Sequence, residues 1–224
     1  MFKRDFLRQV SVGLLTSVAL SGPLPALAAS ATLTFIDSSG TPLPGVVIMI
    51  ENGSEPVPEP AEMVQKHRAF QPHTLIVNQG SPVHFPNRDN TQHHVFSFSA
   101  PKPLNIELYA GQPEAPITFD TAGIVELGCN IHDQMQGFIV VADTRQVART
   151  GADGISRFDV QALDSDGALH FKVWHPGLKD NSVALSKTLQ GPLPIQQTLT
   201  LDVMPEPVAE QNGLKGLQRR FREL

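Results

Sequence analysis

Gly128-Cys129-Asn130-Ile131-His132-Asp133-Gln134-Met135-Gln136-Gly137-Phe138-Ile139-Val140-Val141 is the stretch on which the reading of this chain turns. Its second half is an apolar, β-branched run of strand length. Its first half sets a thiol, an imidazole and a thioether at intervals of three residues. Just upstream, residues 124–127 read as another strand. The loop therefore lies between two strands, where a chain reversal gathers its side chains around one point. The same rhythm of short apolar runs separated by turn residues extends in both directions. Upstream it gives strands at 32–36, 46–50, 73–77, 82–85, 93–98, 105–109 and 117–119; downstream it gives strands at 156–160, 168–174 and 196–203. Strands this short and this closely spaced predict an all-β chain, an antiparallel sandwich or barrel.

The composition narrows the functional classes. With 17 Lys+Arg against 22 Asp+Glu the net charge is −5, which gives no electrostatic basis for binding nucleic acid. A hydrophobic share of 41% is too high for disorder, and 17 Gly with 19 Pro are too many for a helical bundle. The single cysteine, Cys129, excludes an internal disulfide and any zinc site that needs two thiolates.

Residues 1–28 carry Lys3, Arg4 and Arg8, then an apolar run, then Pro25-Ala26-Leu27-Ala28 before Ala29. That is the layout of a cleaved export signal, with an apolar run too short for a permanent span. The stretch from Lys3 to Arg8 also resembles a twin-arginine signal, with Lys3 where the first arginine belongs. A periplasmic or secreted product with no stable membrane span is expected. Cleavage after Ala28 leaves 14 basic and 21 acidic residues, net −7, a balance that steers the protein toward a redox partner with a basic surface.

The expected organisation is a signal at 1–28, an N-terminal hairpin and Pro-rich loop at 29–61 packing on the next unit, a main β domain at 62–143, a smaller β-rich domain at 144–203 and a tail at 204–224. In that tail Leu214, Leu217, Phe221 and Leu224 recur at helical spacing.

Thiolate, imidazole and thioether together form a copper set, because sulfur donors favour Cu(I) and imidazole suits both oxidation states. A site of this kind takes two histidines, and the loop supplies one, His132. The second candidate lies in the segment Asn87-Arg88-Asp89-Asn90-Thr91-Gln92-His93-His94-Val95, where His93 shares a face with Val95 and Ser97, and His94 with Phe96 and Phe98. If the aromatic face is the core face, His94 points inward; otherwise His93 does.

Residues 62–143 resemble the cupredoxins, the blue copper family of plastocyanin and amicyanin. The carriers are Phe70-Gln71-Pro72, Val83-His84-Phe85-Pro86-Asn87, the His-x-Val at His93 and the Cys-x2-His-x2-Met loop, whose short spacing is amicyanin-like. The wider pattern is similar to exported cupredoxin-like proteins labelled methylamine utilization proteins. The resemblance implies a Greek-key β-sandwich holding one type 1 copper through His93, Cys129, His132 and Met135. It also implies one-electron transfer with a redox partner protein rather than catalysis. A copper carrier that never turns over electrons, and an interaction module merely stapled by metal, are the competing readings.

Overall fold

Every regular element among the described residues is a strand, and most show the alternation of inward and outward side chains that a half-buried strand requires. The computed structural model describes residues 29–204 apart from Asn52, Glu114, Asp133, Gln161 and Ala162. The expected signal at 1–28 and, Met204 apart, the expected tail at 204–224 lie outside the described residues. Among the described residues no helix is long and apolar enough to cross a membrane.

In chain order the strands begin with β1 (Ser30–Ile36), β2 (Val47–Ile50), β3 (Ala61–Glu62), β4 (Val64–Lys66), β5 (Ala69–Gln71) and β6 (Thr74–Asn78). Next come β7 (Ser81–His84), β8 (His93–Ser97), β9 (Leu104–Tyr109), β10 (Ile117–Phe119), β11 (Gly123–Cys129) and β12 (Gln136–Ala142). The last are β13 (Val147–Arg149), β14 (Ile155–Asp159), β15 (Ala168–Trp174), β16 (Leu185–Gln190) and β17 (Ile195–Thr200). The all-β expectation holds.

Two cores organise these strands. A five-stranded sheet in the order β6-β12-β11-β8-β9 and a three-stranded sheet in the order β10-β7-β3 share the first core. From the large sheet come Val77, Val95, Val125, Leu127, Ile139 and Val141, and from the other side Met63, Val83, Phe85 and Phe119. Two further sheets, β14-β1-β17 and β13-β2-β15-β16, enclose a second core around Leu33, Phe35, Ile48, Phe171, Val173 and Trp174.

The N-terminal segment departs from expectation. Residues 32–36 and 46–50 read as a hairpin packing on the 62–143 unit, yet β1 and β2 do not pair with each other. β1 lies between β14, antiparallel, and β17, parallel; β2 lies between β13 and β15. Residues 30–50 thus complete the sheets of the smaller unit. The reason is burial: Ala31, Leu33 and Phe35 alternate inward from β1, and only strands on both sides can satisfy its backbone while covering that face.

The second core also claims the outer face of the large sheet. Ile124, Phe138, Val140 and Ala142 point away from the first core and pack into the second, where the Phe138 and Trp174 rings sit 5.1 Å apart. β12 is therefore buried on both faces, which explains why 137–141 is a continuous apolar run rather than an alternating one. Gly137 in this strand faces Phe70, and an added Cβ would stand 2.8 Å from the Phe70 Cβ. Gly137→Ala is expected to destabilise by about 1–3 kcal/mol in urea unfolding, the usual cost of overpacking. Gly128→Ala, which meets only the far end of the Phe96 ring, is expected to cost less.

Candidate metal centre

Strand parity turns His93, and not His94, toward the interior. Along β8 the buried residues are His93, Val95 and Ser97, while His94 and Phe96 point outward and Phe98, just beyond the strand, is 88% exposed. The aromatic face is the solvent face. His94 hydrogen bonds Asn105 on neighbouring β9, its ring nitrogen donating to Oδ1 at 2.5 Å. A register shift in the β8–β9 ladder falls between His93 and Val95.

Cys129 ends β11 directly opposite Val95 of β8, which places its thiol beside the inward His93 ring. Its Sγ lies 3.7 Å from His93 Nδ1 and 3.7 Å from His132 Nδ1. The two imidazoles are 5.0 Å apart between ring centroids and tilted 57° to each other. The sulfur and one ring nitrogen of each histidine all lie within 4.8 Å of one another. Three soft or borderline donors converging on one point fit a single metal ion, and the set suits copper.

The loop after Cys129 is pinned at both ends. Asn130 donates its amide to the His94 carbonyl at 3.2 Å, and Met135 donates its amide to the His132 carbonyl at 2.8 Å. Met135 is buried in the same core cluster as Cys129. His93 is fully buried and His132 only partly, so the loop histidine is the more exposed of the two. Ile131 beside it is 44% exposed.

Asp89, named in the sequence only as part of the segment leading to His93, holds that ring in place. Its Oδ2 accepts from His93 Nε2 at 2.9 Å. A carboxylate can only accept, so Nε2 carries the proton and Nδ1 keeps its lone pair toward Cys129. The same carboxylate accepts from the amides of His67 at 2.6 Å and Arg68 at 2.9 Å. Desolvation by itself raises the Asp89 carboxyl, but the Arg68 amide, the His93 ring and the His67 amide outweigh it and hold the group below the usual carboxylate range.

The loop carrying Asp89 is shaped by Asn87, which is buried. Asn87 Oδ1 accepts the Asp89 amide at 3.0 Å, and its Nδ2 donates to the carbonyls of Thr91 and Tyr109 at 2.8 and 3.0 Å. The Tyr109 hydroxyl, against Gln65 Oε1 and the Phe85 carbonyl, is raised well above its ordinary ionisation range by burial. Among the described residues no buried side-chain nitrogen or oxygen is left without a partner.

Asp89→Ala removes the acceptor from three donors at once. Copper affinity is expected to fall about 10- to 100-fold in competition titrations, as for other partners of metal-bound histidines. Stability of the metal-free protein should drop by about 1–3 kcal/mol in urea. Asp89→Asn, which keeps one acceptor oxygen, is expected to recover part of both.

No family model matches the chain, and no curated protein matches it. Solved structures do. A copper-containing nitrite reductase from Thermus scotoductus SA-01 is 25% identical over 38% of this chain and 23% of its own length, with a TM-score of 0.35. A reduced Cu(I) form of an amicyanin variant is 22% identical over 42% of this chain and 97% of its own, with a TM-score of 0.34. A purple cupredoxin from Nitrosopumilus maritimus is 17% identical over 38% of this chain and 100% of its own, with a TM-score of 0.32. Over about two fifths of its length, the chain is similar to cupredoxins. It spans less than a quarter of the nitrite reductase.

Proposed function

We propose that this protein is an exported cupredoxin-like copper protein whose site, formed by His93, Cys129, His132 and Met135, serves one-electron transfer. The observation that carries the reading is the convergence of the Cys129 sulfur, 3.7 Å from the Nδ1 of both His93 and His132, with one ring nitrogen of each histidine within 4.8 Å. Bound there, copper supplies a reversible Cu(II)/Cu(I) couple, with the thiolate and two imidazoles as strong donors and a thioether as a weak one.

The protein's part is to hold those donors still. Cys129 is fixed by the β11–β8 ladder, His93 by Asp89, and His132 and Met135 by the turn that ties them together. Donors that do not rearrange keep the reorganisation between oxidation states small. His132, nearest to solvent, is the edge through which an electron leaves for a partner. The basic start and apolar run of residues 1–28 support export to the periplasm or beyond.

The deciding experiment adds one equivalent of Cu(II) to the purified protein, then measures its visible and electron paramagnetic resonance spectra, its potential and its self-exchange rate. An intense thiolate-to-copper band with fast self-exchange supports electron transfer. Tight Cu(I) binding with slow self-exchange would leave a copper carrier instead. Coordination without sulfur, or no binding, would sink the reading.

A further inference from the structure

The strands β4 and β5 are joined by a two-residue turn in which His67 and Arg68 both take left-handed backbone angles, φ 55° and 56°. Such a turn reverses the chain as tightly as a hairpin allows and thrusts its residues into solvent. Lys66, His67 and Arg68 are all exposed. Both turn amides donate to Asp89, whose carboxylate also holds the His93 ring. One carboxylate and one imidazole therefore separate this tip from the metal position, and the negative charge of Asp89 is directed inward.

We infer that this basic tip is the docking contact for a redox partner whose own surface is rich in carboxylates. The inference rests on the electron-transfer reading above. Four other cations of the described residues, Arg88, Lys102, Lys172 and Lys179, have carboxylate partners within the chain. Lys66 and Arg68, like Arg145, Arg149, Arg157 and Lys187, have no described carboxylate in ion-pair range; what sets these two apart is their place at the turn whose amides hold Asp89, the carboxylate on the His93 ring.

The sequence between 29 and 204 carries 10 basic and 18 acidic residues, net −8, which by itself points to a basic partner. Range decides between the two charges. At physiological ionic strength the screening length is about 8 Å, so the distributed negative charge fades while the two cations beside the centre act at contact distance. The tip is also rigidly tied to the centre, so little ordering opposes docking there.

The test uses the full copper-loaded chain with two trianions and one cation. In NMR spectra, hexacyanochromate(III), a redox-inert trianion, is expected to broaden the amides of residues 65–70 and 130–132 before any others. Oxidation of the reduced protein by hexacyanoferrate(III) should slow as salt is added. It should slow by at least about tenfold in the Lys66→Glu/Arg68→Glu double variant, while oxidation by the cationic tris(phenanthroline)cobalt(III) quickens. Rates with both reagents that the double variant leaves unchanged, or broadening centred elsewhere, would overturn the inference and leave electron transfer standing. No electron exchange with either reagent would overturn both.

Discussion

Cys129→Ser is expected to abolish the thiolate-to-copper charge-transfer band completely and to weaken Cu(I) binding by orders of magnitude, with the fold intact. The sulfur is the one soft anionic donor at the centre, and no second cysteine exists to replace it. A serine hydroxyl is a hard donor that stays protonated at neutral pH, so the loss is of kind rather than degree. Cys129 is 5% exposed, and a buried hydroxyl is costly unless it is hydrogen bonded. Here two imidazole nitrogens stand ready at the sulfur's neighbours' positions, so the apoprotein should lose no more than about 1–2 kcal/mol. Far-ultraviolet circular dichroism and a urea midpoint separate this from unfolding. A full-strength band in the variant would mean that the colour arises elsewhere.

Trp174→Ala is expected to have the largest effect on stability, about 3–5 kcal/mol in guanidinium unfolding. That is a large part of the 5–15 kcal/mol that holds a typical domain together. Trp174 is fully buried, its ring tilts against Phe138, and its Nε1 donates to the Asn181 carbonyl at 2.7 Å. Truncation opens a cavity on the outer face of the sheet whose inner face helps line the metal centre. A single unfolding transition, with the copper band lost at the same denaturant concentration, is the expected signature of two cores sharing one wall. Two separated transitions would show that the smaller unit unfolds without disturbing the centre.

Much of this was legible in the residues. The strands at 93–98, 117–119, 124–127, 137–141 and 168–174 fall where alternation or continuous apolar runs place them. The donors His132 and Cys129 stand three apart in one loop, so local spacing alone brings them together. His93 against His94 was ambiguous because Phe96 and Phe98 suggest a core face, whereas the structure turns those rings to solvent. The partners of β1 and β2 were hidden, since alternation says which face is buried but not which distant strand covers it. The short strands β3, β4, β5 and β13 offer too few residues for a period to show. Asp89 was missed for a different reason: its role depends on the β4–β5 turn and His93 meeting in space, and only its spacing of four from His93 hints at it.

The parallel pairing of β1 with β17, from Ala31 opposite Ile195 to Ile36 opposite Thr200, joins the first described strand to the last. Tension applied at the two ends of this region would pull those neighbours lengthwise past each other. Their hydrogen bonds would then be loaded in shear, together, instead of unzipping one by one. The enclosed copper region would be shielded from stretching until that seam gave way.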